Sequence, residues 1–293
     1  MDKFKKLLKT LGYCIIISIL IFEYNPKFNT KKVKEYMSDF SLPATGGYNY
    51  MHLLTDGEKK LYDESLENLK NGKLSTSKSG MSSDSIDRVA RSIIADHPEL
   101  FWLKGYKTDL TSFSFITYPF WSYTFNPDSY TEPFANKVNS FVDEINTYNT
   151  NDEKIRFVHD KLVRDISYNH IAAEEDERPR NILQKSEYQY AGTAYGALVN
   201  SSAVCAGYAK AFQILLNKCG YDCGYVTGMV DAGAHAWNEL YLNNNKYCFD
   251  VTWDDQGDYY EYPYDLSHKY FALYPSELVV DHTVDELYQP LVP

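Results

Sequence analysis

The spacing of apolar and polar positions changes several times along the chain, and each change marks an element. Residues 55–72 begin with a capping box, Thr55 with Glu58 three residues on, continue with Leu61, Leu66 and Leu69 at helical spacing, and stop at Asn71-Gly72. After a Ser-rich loop (74–83) a second helix is predicted, capped by Ser83 or Asp84, with Ile86, Val89, Ala90, Ile93 and Ile94 on one face and His97-Pro98 closing it. Residues 110–125 are aromatic and β-branched with partial alternation, which predicts strand broken at Pro119. Two further helices are expected, one from about Pro133 to Ile145. The other opens on a second capping box, Thr150 with Glu153, and carries Ile155, Val158, Leu162, Val163 and Ile166. Val204 to Lys218 also reads as a helix, with Val204, Tyr208, Ala211, Phe212, Leu215 and Leu216 on its apolar side and Gly220 past its end.

Beyond Gly220 the period becomes that of strands, at Tyr225–Met229, Ala234–Leu242 and Lys246–Trp253. Asn243-Asn244-Asn245 joins the last two, and asparagine tolerates the positive φ that a two-residue hairpin turn requires. With Asn243 and Asn244 as the turn, paired residue numbers add up to 487, so Asp250 lies opposite Trp237, Cys248 opposite Glu239, and Asp250 is the same-face diagonal neighbour of His235. A three-residue loop would place His235 and Asp250 on opposite faces.

Composition changes the picture mainly at the N-terminus. The 293 residues are 44% apolar and 24% charged, as in globular proteins. Asp and Glu number 40 against 29 Lys and Arg, and a net charge of −11 argues against nucleic-acid binding, which phosphate neutralisation drives. Residues 1–34 nevertheless hold eight Lys and two acids, a head of +6 that leaves −17 for the rest. Four lysines precede the 12-residue apolar run Leu11–Phe22, the pattern of a secretory signal. Glu23-Tyr24-Asn25-Pro26 follows, with no small-residue cleavage site, so residues 1–23 read as an uncleaved signal anchor, a cleaved signal peptide being the alternative. The lysines would stay inside and the body outside, at the cell surface or secreted. Residues 24–48 read as a tether, 49–148 as an N-terminal α/β extension and 149–293 as the catalytic domain.

Other signals carry less. Leu42-Pro43-Ala44-Thr45-Gly46 spells a sortase pentapeptide but lacks the C-terminal context that signal needs, and reads as a turn. The acidic run Glu174–Glu177 sits in a long segment, 170–192, that is either solvated loop or a lid. Cys219 and Cys223 are close enough to pair in an oxidising compartment, although burial as small apolar residues is the commoner fate. His235, His268, Asp254, Asp255 and Asp258 show no recognised ligand spacing, so neither metal nor cofactor is expected.

Cys205 falls in the first turn of its helix, where the partial positive charge of the N-terminus favours a thiolate. Ala203, Ala206 and Gly207 leave room around it. A thiolate, a base in reach of it and a carboxylate that orients the base are what thiol acyl transfer requires, and Cys205, His235 and Asp250 supply those residue types.

Several motifs in order, Ala194-Tyr195-Gly196-Ala197-Leu198-Val199, Ala203-Val204-Cys205-Ala206-Gly207-Tyr208-Ala209, His235-Ala236-Trp237-Asn238 and Asp250-Val251-Thr252-Trp253-Asp254-Asp255, resemble those of the bacterial transglutaminase-like superfamily. His159–Val163, Ile166-Ser167-Tyr168 and Tyr270–Leu273 are similar to its flanking segments. Ser201-Ser202 departs from the Gly-Lys pair that many relatives carry, which bears on the adjacent substrate surface. The resemblance implies an α+β, papain-like fold with the Cys helix packed on an antiparallel sheet, and a triad of Cys205, His235 and Asp250. Within the matched motifs Tyr195 is the expected oxyanion donor beside the Cys205 backbone N–H, with Gln184 and Gln189 as rivals, and Trp237 and Trp253 are expected to line the substrate cleft. The expected activity is thiol acyl transfer on a peptide or protein amide, as peptidase, amidase or transglutaminase, with a cell-wall or surface substrate and the membrane met through the N-terminal segment. The alternative is a non-catalytic surface binding module on the same fold.

Overall fold

The computed structural model of the chain describes residues 30–40, 42, 50–78, 80–117, 128–174, 190–255, 257 and 266–285. The expected anchor, most of the tether, residues 118–127 of the aromatic segment, Gln184, Gln189 and most of the acidic loop lie outside them.

The N-terminal part begins with α1 (Thr30–Asp39), a 3-10 turn (Tyr50–Leu53), α2 (Asp56–Lys70), β1 (Ser75–Ser77) and α3 (Ser83–Asp96). The Thr55–Glu58 capping box forms as expected. Helix α3 is capped one residue earlier than the sequence indicated, by Ser82, whose hydroxyl accepts the Ser85 N–H. Strands β2 (Leu103–Thr108) and β3 (Ser112–Thr117) complete a three-stranded antiparallel sheet in the order β1-β3-β2. Strand β2 was not anticipated, because Leu-Lys-Gly-Tyr-Lys-Thr has no apolar alternation and is held by pairing with β3.

Helix α4 (Asp128–Ile145) starts five residues before Pro133, the expected first residue. Its buried stripe is Phe134, Val138, Phe141 and Ile145, and its early turn is held by Tyr130 against Tyr190 and Tyr195. Helix α5 (Asn151–Asp165) has its Thr150–Glu153 box. The short elements β4 (Ser167–Tyr168), α6 (His170–Ala173), α7 (Ala194–Leu198) and β5 (Ser202–Ala203) follow, β4 and β5 pairing in parallel. Then come α8 (Cys205–Lys218), β6 (Asp222–Val230), β7 (Gly233–Leu242), β8 (Asn245–Phe249), α9 (Val251–Asp254), α10 (Pro275–Leu278) and β9 (Thr283–Val284). Strands β6–β9 form an antiparallel sheet in the order β8-β7-β6-β9.

Helix α8 is the centre of this α+β arrangement. It lies on β6 and β7 and is also packed by α4, α5 and α7, so it is buried nearly all round and not along one stripe as expected. Two of its inward side chains bond backbone of neighbouring elements. Gln213 Nε2 donates to the Ala95 carbonyl at 2.9 Å, and Asn217 exchanges hydrogen bonds with the backbone of Cys223 at 2.9 and 3.1 Å. Gly207 is required by close approach, since a Cβ there would stand 2.3 Å from the Ala191 carbonyl oxygen. It therefore faces the 190–193 loop and not a substrate.

The hairpin follows the predicted register, with Leu242 opposite Asn245 and Glu239 opposite Cys248, and with Asn243 and Asn244 at φ 52° and 63°. One expectation fails. The strand ends at Phe249, and residues 251–254 are helical, because the Asp250 carboxylate Oδ1 accepts the N–H groups of Thr252 and Trp253, each at 3.1 Å, and caps α9. Asp250 is thus a helix cap one step beyond the ladder and not a strand residue opposite Trp237.

Candidate active site

Three local features converge at the end of the sheet. Cys205 is the first residue of α8, and the cap position before it is Val204, which offers no side-chain acceptor. The first-turn N–H groups of α8 therefore receive no cap from that side chain. His235 lies on β7 opposite Gly228 of β6, and Asp250 follows β8. His235 Nε2 stands 2.7 Å from Asp250 Oδ2, and Cys205 is the other side chain that acts on the imidazole, the two lining one cleft. The three residues the sequence singled out are brought together, in the order thiol, imidazole, carboxylate.

Burial opposes charge on His235, but its hydrogen bonds to Asp250 and Cys205 and their charges outweigh that and push the imidazole up to about 10. Burial would likewise raise Asp250, which has no solvent exposure, yet the bonds from His235 and from His282 hold its carboxyl below the ordinary aspartate range. The other described cysteines differ. All are free thiols, so Cys219 and Cys223 do not pair. Burial pushes the thiols of Cys219, Cys223 and Cys248 up.

Cys205 and His235 open onto a cleft of about 340 Å³ walled by Ala206, Tyr225, Gly228, Met229, Ala236 and the edge strand residues Thr283 and Val284. Trp253 is half-buried with its ring 5.4 Å from His235, and Trp237 is buried at 6.2 Å, stacked on the same imidazole. Both support the histidine; neither is among the residues that wall the cleft. Tyr195 lies elsewhere. It is buried on α7 in an aromatic cluster with Phe101, Tyr130, Phe134 and Tyr190, and it is not among the residues that wall the cleft.

Two groups have ligand atoms within 4.8 Å of one another, as a metal ion would require: His235 with Asp250 and His282, and His159 with Asp160 and His268. In both, the nitrogens and carboxylate oxygens already bond each other at 2.7–3.1 Å. His268 therefore belongs with α5 and not with His235. His159 Nε2 also meets Asp254, whose carboxylate takes the Ser267 hydroxyl and the Tyr270 N–H, so this second group ties α5 to α9. The sequence reading missed His282, which lies 47 residues from His235 with no motif around it.

Residues 139–250 match the sequence model of the transglutaminase-like superfamily. That match places this part of the chain in the superfamily, and its end coincides with Asp250. A crystal structure of a TGase aligns over 58% of this chain and 48% of its own, at 16% identity and a TM-score of 0.38. The periplasmic domain of TgpA from Pseudomonas aeruginosa, bound to ethylmercury, aligns over 50% of this chain and 56% of its own, at 13% identity and a TM-score of 0.31. The chain spans about half the length of each. No curated protein matches the chain. Residues 139–250 thus form a transglutaminase-like domain with a papain-like fold.

Proposed function

We propose that this protein is a cysteine enzyme that transfers the acyl group of a peptide or protein amide, with Cys205 as nucleophile, His235 as acid and base and Asp250 as the carboxylate that orients it. The observation that carries the reading is the imidazole of His235, bonded to Asp250 at 2.7 Å and lining one cleft together with Cys205. The thiolate attacks the amide carbon, and the imidazolium gives its proton to the departing amine as the C–N bond breaks. Water or a second amine then attacks the thioester carbon while His235 takes its proton, releasing an acid or a new amide and restoring the thiol. The oxyanion is met by the backbone N–H of Cys205, the first residue of α8, where the helix N-terminus favours negative charge.

The cleft offers small and apolar surface, Ala206 and Ala236 beside Met229, which leaves room for a peptide side chain next to the reacting amide. The lysine-led apolar run supports an anchor with the catalytic body outside the membrane and cell-wall or surface peptides as substrates. Among the described residues no helix is long and apolar enough to cross a membrane. Alkylation by iodoacetamide near pH 6, located by peptide mass mapping, tests the chemistry. Cys205 is expected to react quickly and Cys248 hardly at all. A Cys205 that reacts no faster than a free thiol would leave a surface binding module on this fold, and recovery of the full-length chain in the cytosol would remove the surface substrate.

A further inference from the structure

Asp250 faces two histidines. Its Oδ2 lies 2.7 Å from His235 Nε2 and 3.1 Å from Nε2 of His282, a fully buried residue just before β9. The other His282 nitrogen, Nδ1, lies 2.6 Å from Asp281 Oδ1, and Asp281 in turn accepts the Tyr270 hydroxyl at 2.8 Å. The ring is clamped by Trp253 at 4.5 Å and Trp237 at 4.9 Å, the two tryptophans that also contact His235. Both ring nitrogens of His282 therefore face carboxylate oxygens.

Asp250 uses Oδ1 on the backbone of α9 and Oδ2 on the two imidazoles, which gives this buried carboxylate four donors. Three of the four come from fixed elements or from the reacting histidine itself. Only His282 holds Oδ2 from the side away from the reaction.

We infer that His282 is a positioning residue of the catalytic site: with Asp281 and Tyr270 behind it, it holds the Asp250 carboxylate ionised and aimed at His235, and so sets the pH range over which the Cys205–His235 pair works. This rests on the acyl-transfer reading above. The charged or titratable groups facing the pair are His235 from β7, Cys205 beyond it from α8, Asp281 beside His282, and Tyr270, whose hydroxyl also meets Lys269. Trp237 and Trp253 fill the remainder without charge. The two histidine bonds are what keep the Asp250 carboxyl low against its burial, so losing one moves it up. Once Asp250 takes a proton His235 loses its orienting charge, and activity fails at a higher pH than in the wild type.

The test is the rate of Cys205 alkylation against pH in the full chain. In His282→Ala the acid limb is expected to move up by about one pH unit or more, the size of one charge-assisted hydrogen bond. His282→Gln, whose amide nitrogen reaches the place of Nε2, is expected to restore the wild-type limb, while His282→Asn, which ends short of Asp250, is expected to shift like Ala. If the Ala variant does not fold, the Gln and Asn pair makes the same comparison at matched side-chain polarity. An acid limb that stays put in both Ala and Asn, or moves equally in Gln and Asn, overturns the inference. His235→Ala is the control: if it leaves the Cys205 profile unchanged, the acyl-transfer reading itself falls, whereas a change there with none at His282 removes only the role of His282.

Discussion

His235 owes its proton to its neighbours, since burial alone would strip it, and this has consequences that single substitutions expose. Cys205→Ala is expected to abolish turnover and low-pH alkylation with little change in melting temperature, because alanine suits a first-turn position and leaves a small void. Asp250→Asn is expected to slow turnover by about 10⁴-fold, the amide favouring the wrong tautomer. Its pH profile carries a sign. A histidine raised by a carboxylate keeps its ion pair below the raised value and loses it as pH rises through about 10, so the basic limb should move down when the carboxylate becomes an amide. A basic limb unmoved in Asp250→Asn would mean that another group sets it. Ser201 offers a different test. Its φ of 52° is a left-handed conformation that an L side chain adopts at a cost. Ser201→Gly is expected to stabilise the fold by about 0.5–1 kcal/mol in urea unfolding, without affecting alkylation.

At the scale of elements, the cleft depends on how closely β9 lies on β6. A Cβ at Gly228 would stand 2.0 Å from the Thr283 carbonyl oxygen and 2.6 Å from the Trp237 ring, so only glycine lets the edge strand reach its place. Gly228→Ala is expected to push β9 outward, costing about 1–3 kcal/mol in stability. It should also slow Cys205 alkylation at low pH, because Thr283 follows His282 directly. Normal alkylation in a destabilised Gly228→Ala would show that β9 and the triad are uncoupled. The hairpin was legible because its turn chemistry is local, whereas the two-residue β9 carries no pattern that a reading of alternation could detect.

Among the described residues the larger core runs from Val33 in α1 to Val251 in α9, and a second cluster, with Tyr50, Tyr225 and Trp237, lies beside the cleft. The N-terminal part reaches the β6–β9 sheet and the helix packed on it directly. The Tyr50 hydroxyl donates to the Tyr225 carbonyl beside the cleft, Gln213 is held by Ala95, and Arg91 meets Asp285 at 2.7 Å just past β9. A fragment beginning at 149 is therefore expected to lack a cooperative unfolding transition, while one beginning at 30 keeps it, as near-UV circular dichroism during heating would show. A sharp transition in the shorter fragment would make the N-terminal part an accessory.

The sequence by itself determined what depends on neighbours a few residues apart. The capping boxes at Thr55 and Thr150 and the Asn243-Asn244 turn each rest on a backbone donor or a φ value that local residues satisfy. Through the turn, even the pairing of β7 with β8 was readable, and with it the approach of His235 to Asp250. Only the tertiary structure decided the rest. It turned Asp250 from a strand residue into a helix cap, because its side chain found backbone donors ahead of it. Tyr195 went to an aromatic core between helices distant in sequence, and His282 came to the far side of the Asp250 carboxylate. A buried charge takes whatever donors the fold brings to it, and their distance along the chain leaves no mark in the local pattern.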